Sequence, residues 1–201
     1  MTNAFRDFKT IIDDTRNTFA VYDYLHDIVK APLDYSDLLR WQWAQAVSAL
    51  DKLIHDLVRI GMRESFSGSR VPTRAFSSFT IDISTYRLID QTPLAKETVF
   101  ENYVSSVHSY KSFQKAEEIS KALSLIWAEE HKWQAIAAQM GSTDTVVKTQ
   151  LSTIVTRRNQ IAHQGDYAVS GQPRQSIEKA DVVSTIDFIE RLGSAIYNLV
   201  S

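Results

Sequence analysis

Residues 156–166 read Thr-Arg-Arg-Asn-Gln-Ile-Ala-His-Gln-Gly-Asp, and three side-chain types in this stretch could together cut a phosphodiester. An arginine can hold the non-bridging oxygens of a phosphate through paired hydrogen bonds as charge builds on them. A histidine, a residue type that titrates near neutrality, can take or give a proton. An asparagine amide can orient a sugar or the imidazole. Arg158, Asn159 and His163 are therefore the candidate catalytic residues. RNA carries its own nucleophile, the 2′-hydroxyl, so this set implies cleavage without a metal or other cofactor. The products would be a 2′,3′-cyclic phosphate and a 5′-hydroxyl.

These residues close an amphipathic helix. Ser142, Thr143 and Asp144 supply a helix start, Val147, Leu151, Ile154 and Ile161 form its apolar stripe, and Gly165 can stop it. Arg158 falls in the middle of the stripe, four residues after Ile154 and three before Ile161. A guanidinium there needs a partner or a polar cleft, and no residue three or four positions away is acidic. The partner must come from elsewhere: a carboxylate, a second chain, or a bound phosphate. Asn159 and His163 share one edge of the helix. Arg158 and His163 are about 140° apart on an ideal helix, so they would meet in one cleft if the helix loosens near Gly165, or if two copies of the chain face each other. The structural alternative is a plain helix end, with His163 on the helix dipole and Arg158 in an ion pair.

The elements that must position this helix are also helical. Phe5, Phe8, Ile12, Phe19, Tyr22 and Val29 follow three-four spacing, with Thr15 and His26 in the gaps, which predicts one long helix over residues 5–31 ended by Pro32. A second begins near Ser36, with Leu39, Trp43, Val47, Leu50, Ile54 and Leu57 inside. Residues 67–80 hold Gly68, Pro72 and several serines and read as a loop. It is basic, with Arg70 and Arg74 and no acidic residue between Ser65 and Ile81. Ile81, Ile83 and Thr85 alternate as in a short strand, so residues 81–92 are left between strand and loop. Helical spacing returns with Phe100, Tyr103, Val107 and Tyr110, then Ile119, Leu123 and Ile126, then Trp133, Ile136 and Met140. A last helix from about Ser176 buries Val182, Ile186, Ile189, Ile196 and Val200. The expectation is an all-α bundle in one domain over 1–201: an N-terminal helix (1–35) and a core (36–200) with an inserted basic loop at 67–92.

Composition narrows the function classes. The 201 residues are 44% hydrophobic and 23% charged, which places the chain among globular domains. Its net charge of −2 argues against coating nucleic acid by bulk charge, so any RNA contact must use a local positive site. The absence of cysteine excludes disulfides, thiolate zinc sites and iron–sulfur clusters. The N-terminal stretch has no apolar core of signal-peptide length, and no apolar run approaches the roughly 20 residues of a membrane helix. A cytoplasmic protein with no membrane partner is expected.

The Thr156–Asp166 stretch resembles the signature of HEPN domains, an arginine followed after four to six residues by histidine, with a polar residue next to the arginine. Arg158 gives a gap of four and Arg157 a gap of five; Arg157 is the less favoured candidate. The stretch Ala46-Val-Ser-Ala-Leu-Asp-Lys-Leu-Ile-His-Asp-Leu-Val58 is similar to the first core helix of the RiboL-PSP branch. The likeness covers roughly residues 36–200 and leaves the helix at 5–31 unassigned. It implies a helical bundle and a homodimer with the two motifs facing. It also implies metal-independent endoribonuclease activity and a role as a toxin or anti-phage effector, with an antitoxin or defence-system protein as partner. Some members are silent and only bind a partner protein or nucleotide, but the arginine, asparagine and histidine are all present here. A plain helical scaffold is a third reading; its mark would be an Arg158 neutralised by a carboxylate inside the monomer.

Arg157, Asp166 and His55 complete the set as supporting residues. Asp51, His55 and Arg59 lie at four-residue spacing and read as a salt-bridge face rather than a catalytic pair. Glu129, Glu130 and His131 are adjacent and cannot converge on one metal ion from one helix face. Trp41, Trp43, Trp127 and Trp133 are expected in the core, and His26 in an apolar seam.

Overall fold

The computed structural model describes residues 1–30, 32–169 and 171–201. Among them there are helices and no strands. The elements are α1 (Thr2–Asn17), α2 (Phe19–Asp23), a π-helical turn (Tyr24–Val29), α3 (Ser36–Ser67), α4 (Arg74–Ser77), α5 (Ile83–Gln91), α6 (Lys96–His108), α7 (Ala116–Ser124), α8 (Lys132–Gln139), α9 (Asp144–Gln164) and α10 (Lys179–Val200).

The long helix α3 is the spine, with α1, α6, α7, α9 and α10 packed around it. Its predicted stripe (Leu39, Trp43, Val47, Leu50, Ile54, Leu57) is buried throughout, as is the α10 stripe. A helix apolar on so much of its circumference is stable only when surrounded. Two contacts are tight enough to require glycine. A Cβ on Gly61 would fall 2.6 Å from Ile126 Cγ2, and one on Gly193 would fall 2.5 Å from Phe8 Cζ.

The N-terminal segment departs from the single helix predicted over 5–31, whose last residue lies outside the described residues. It is broken after Asn17 and ends in the π-helical turn. Gln42 of α3 donates to the Thr15 carbonyl at 3.0 Å, and Thr18 donates its hydroxyl to the Asp14 carbonyl at 3.1 Å. Both take acceptors that a continuous helix would use. Phe8 and Ile12 are buried against α3 and α10, and Phe5 stacks on Tyr197 at 4.2 Å. His26 is not in the seam. Its side chain is 60% exposed, lies against Asp27 and stacks on Tyr22.

Residues 67–92 are not one continuous loop: 68–73 and 78–82 are irregular, but helices interrupt and follow them. The segment contains α4, capped by the Thr73 hydroxyl, and α5, capped by the Asp82 carboxylate. The alternation of Ile81, Ile83 and Thr85 is therefore not a strand. Asp82 accepts from the Thr85 amide at 2.7 Å and starts a helix at that point. The Ser84 hydroxyl bond, and then the Thr85 amide bond, hold this carboxyl below its ordinary range. The basic residues of the segment divide. Arg70 is spent on Glu64 (2.9 Å) and the Ile126 carbonyl (3.2 Å), although Arg74 is exposed. Trp43 and Trp133 are buried and donate to the Ile154 and Ala116 carbonyls, whereas Trp41 is exposed.

Among the described residues, no helix is long and apolar enough to cross a membrane.

Candidate active site

Helix α9 starts as its sequence suggests. Thr143 caps it, accepting from the Val146 amide at 3.4 Å, and Val147, Leu151 and Ile154 are buried along with Val155. It ends at Gly165, whose φ of +59° is left-handed, and Asp166 follows at φ +67°. The Asp166 amide returns to the Gln160 carbonyl at 2.9 Å. Two consecutive left-handed residues suit Gly-Asp, because glycine meets no Cβ penalty and aspartate tolerates the region.

The two adjacent arginines do different work. Arg157 turns inward to Asp166: its Nη2 donates to Oδ2 at 2.8 Å, and its Nε lies 2.7 Å from Oδ1 in ion-pair range without hydrogen-bond alignment. The Asp166 side chain is fully buried. Arg40 of α3, itself buried, donates from Nε to Asp166 Oδ2 at 2.7 Å, from Nη2 to the Gln175 carbonyl at 2.8 Å, and from Nη1 to the Ser36 hydroxyl. Gln175 Nε2 completes the group at 3.3 Å from Asp166 Oδ1. One carboxylate thus holds two guanidiniums and ties the start of α3 to the end of α9 and the segment after it. Arg157 and Asp166, expected as supporting residues, are structural clamps at this junction. Arg40 was not anticipated, but a signal for it exists. It lies three residues before Trp43 and seven before Val47, a charge on an apolar stripe like Arg158.

Arg158 faces the other way. It lines a cleft of about 720 Å³ whose wall also holds Asn159 and His163, with Val155 and Leu125 beneath. Helix α9 stays regular through Gln164, so no loosening is needed. The cleft is broad enough to be bordered by side chains five residues apart, and one chain brings all three together. Arg158 Nη1 donates to Asn159 Oδ1 at 3.1 Å, which leaves the Asn159 amide nitrogen as a donor. Among the described residues no carboxylate pairs with Arg158, and its Nε is buried without a partner. That is the reverse of the mark expected for a plain scaffold. His163 is exposed in the last turn of α9.

The opposite wall is the connection from α6 to α7. Asp51 of α3 pins it, accepting from the Phe113 amide at 2.6 Å and from Gln114 Nε2 at 3.0 Å. His55 does not line the cleft. Its ring packs on Phe113 at 4.4 Å, and Nε2 lies 3.2 Å from the Lys111 carbonyl, bracing this wall from behind. Arg59 pairs with Asp56 and Glu101. The salt-bridge reading of this stripe is what the structure contains.

The cleft also holds His108, which periodicity did not flag. It is buried edge-on to Phe79 and Phe113. Burial, then the charges of Lys111 and His55, push it down to about 4. An imidazole depressed in the fold but ordinary when unfolded contributes stability that is present above about 6.5 and lost as pH falls through about 4. The full loss is of order 3 kcal/mol at 1.36 kcal/mol per pH unit. The melting temperature should therefore fall more steeply between pH 7 and 4.5 in the native chain than in His108→Leu. Parallel slopes would show that His108 is not held neutral.

Among the described residues, no three His, Asp or Glu side chains cluster so as to hold a metal ion. Glu129 instead accepts from the His131 amide at 2.8 Å.

The all-α bundle and the Arg–Asn–His helix end beside a cationic cleft fit the HEPN-type domain that the Thr156–Asp166 stretch resembles. The family model described as RiboL-PSP-HEPN matches residues 9–201, and the chain belongs to that family. The match begins inside α1, so the N-terminal segment that the sequence motifs left unassigned is largely part of the family's domain. No curated protein and no solved structure matches the chain. Membership carries a nuclease or RNA-related function at the level of the family.

Proposed function

We propose that the chain is a metal-independent endoribonuclease that cleaves RNA by attack of the 2′-hydroxyl. The observation that carries this is the half-buried Arg158, which has no carboxylate partner among the described residues and shares its cleft with Asn159 and His163. A guanidinium left without a counter-charge in a partly desolvated cleft favours an anion there, and a phosphate matches its fork. In the reaction the 2′-oxygen bonds to phosphorus and the 5′-oxygen leaves. His163 carries the proton lost by the first toward the second. Arg158 holds the phosphate oxygens as charge grows on them, and the Asn159 amide donates to the sugar or phosphate. The products are a 2′,3′-cyclic phosphate and a 5′-hydroxyl.

The proposal extends to a homodimer acting as a toxin or anti-phage effector in the cytoplasm, held in check by an antitoxin or defence-system protein. Support for this part is family membership, whose domains often act on RNA and dimerise. The test is cleavage of a labelled RNA in EDTA with analysis of the ends. Unchanged cleavage with cyclic-phosphate ends is expected. Activity that vanishes on chelation and returns with magnesium would refute the mechanism. RNA bound but never cut would instead mark a silent module.

A further inference from the structure

The cleft does not end at Asn159. It continues into a second groove of about 1130 Å³ between α7 and α9, and the two share Lys115, Glu118, Lys121, Val155 and Asn159 along their border. Sites for single small ligands run to roughly 300–1,000 Å³. A continuous pair of clefts of this size fits a chain of nucleotides rather than one.

The groove's chemistry suits a single strand. At its floor are Val155 and Trp133, both buried. Its open face on α9 carries Ser152, Thr156, Gln160 and Gln164, hydroxyls and amides that can meet base edges and sugars. Cations lie along the α7 side. Lys121 of α7 is paired with Glu118 at 2.9 Å, and across the groove Lys148 of α9 is paired with Asp144 at 2.8 Å. Lys111 and Lys115 are exposed and form no close ion pair among the described residues, although both lie near enough to Glu118 to act on its charge and Glu117 also lines the groove. They stand on the wall across the cleft from Arg158. A chain of net charge −2 needs a local positive site to hold RNA, and these two lysines with Arg158 provide one. A groove that combines phosphate-holding cations with polar base-facing side chains is how single strands are tracked. A protein partner would call for exposed apolar anchors here.

We propose that the α7–α9 groove binds single-stranded RNA next to the scissile phosphate, with Lys111 and Lys115 on the flanking phosphates and the exposed α9 side chains on the adjoining nucleotide. This rests on the endoribonuclease reading of the cleft, but binding and cutting can be measured apart. A fluorescent 2′-O-methylated oligonucleotide keeps the phosphates and lacks the attacking hydroxyl. It should bind the native chain more tightly as a single strand than as a duplex. Replacing both lysines (K111Q with K115Q) removes two contacts worth about 0.7 each in the log–log salt slope, so the slope should fall by about 1.4 and affinity at 0.1 M salt by roughly 25-fold. The exposed pair Arg87→Gln with Lys96→Gln, outside the groove and of equal charge change, should leave both unchanged.

Equal affinity for the duplex would overturn the proposal, as would a lysine variant with native affinity and slope. So would a lysine variant that alters only sedimentation, which would give this face to a second copy of the chain. If unmodified RNA is not cut but the lysine dependence holds, the enzyme reading fails and the groove stands. If RNA is cut and the slope is unmoved, the reverse is true.

Discussion

Arg158→Ala is expected to lower RNA cleavage by about 10²–10³-fold, the usual effect of removing one donor that stabilises developing negative charge. His163→Ala is expected to lower it by about 10²–10⁴-fold, through loss of the proton carrier. Both should melt close to the native chain. His163 is exposed, and Arg158 has no ionic partner among the described residues to leave stranded. The double variant should be hardly worse than the weaker single one, because the two residues act on the same step. Arg157→Ala is the internal control: it lies one position away, carries the same charge, and should lose stability before it loses chemistry. Because one chain's cleft holds Arg158, Asn159 and His163 together, mixing Arg158→Ala with Arg158-intact His163→Ala chains should restore nothing. Restored activity would show that the site is shared between copies. Full activity in Arg158→Ala with an inactive but folded Arg157→Ala would show that the cleft has been assigned to the wrong arginine.

The largest loss of stability should come from Asp166→Ala. This carboxylate is the one acidic group that meets Arg40 and Arg157 together, and Arg40 is almost wholly enclosed. Removing it leaves Arg157 without a carboxylate and Arg40 with only Asp37, 3.5 Å away, and breaking a buried ionic group in this way costs up to about 3–5 kcal/mol. Alanine at a left-handed φ adds about 1–2 kcal/mol. For a chain of this size each kcal/mol is worth roughly 2–4 °C, so a melting temperature lower by about 10 °C or more is expected. Asp166→Asn keeps the left-handed tolerance and one acceptor, and should fall between alanine and native. Equilibrium unfolding in urea measures the series. A Asp166→Ala chain as stable as native would mean that the clamp is not what joins α3 to the end of α9.

Much of this was legible before any coordinates. The inner stripes of α3 and α10 follow from spacing alone, because a helix with apolar residues every three to four positions has no other stable surroundings. The start of α9 at Thr143, its stop at Gly165, and the Arg–Asn–His set are equally local, since each depends on residue type and backbone within one or two turns. Failures came where a local rule met a distant partner. The seam from Phe5 to Val29 read as one helix because periodicity cannot register Gln42 reaching the Thr15 carbonyl. Residues 81–92 read as a strand or loop because three alternating β-branched residues, Ile81, Ile83 and Thr85, outweigh Asp82, whose side chain caps α5.

What the sequence by itself determined, then, is a helical chain carrying Arg158, Asn159 and His163 at the end of one amphipathic helix. Which arginine faces a cleft was decided only by the fold. Arg157 and Arg158 differ by about 100° of rotation on α9, and either could have met the phosphate. Arg40 arrives from α3 with Asp166 between it and Arg157, and that buried carboxylate takes up one guanidinium of the pair. Arg158 is left on the side where Asp51 holds the α6–α7 connection open across from it. Arg40 and Asp166 are 126 positions apart and Asp51 and Phe113 are 62 apart, and no local pattern encodes such contacts because their free energy exists only when the separate helices are packed.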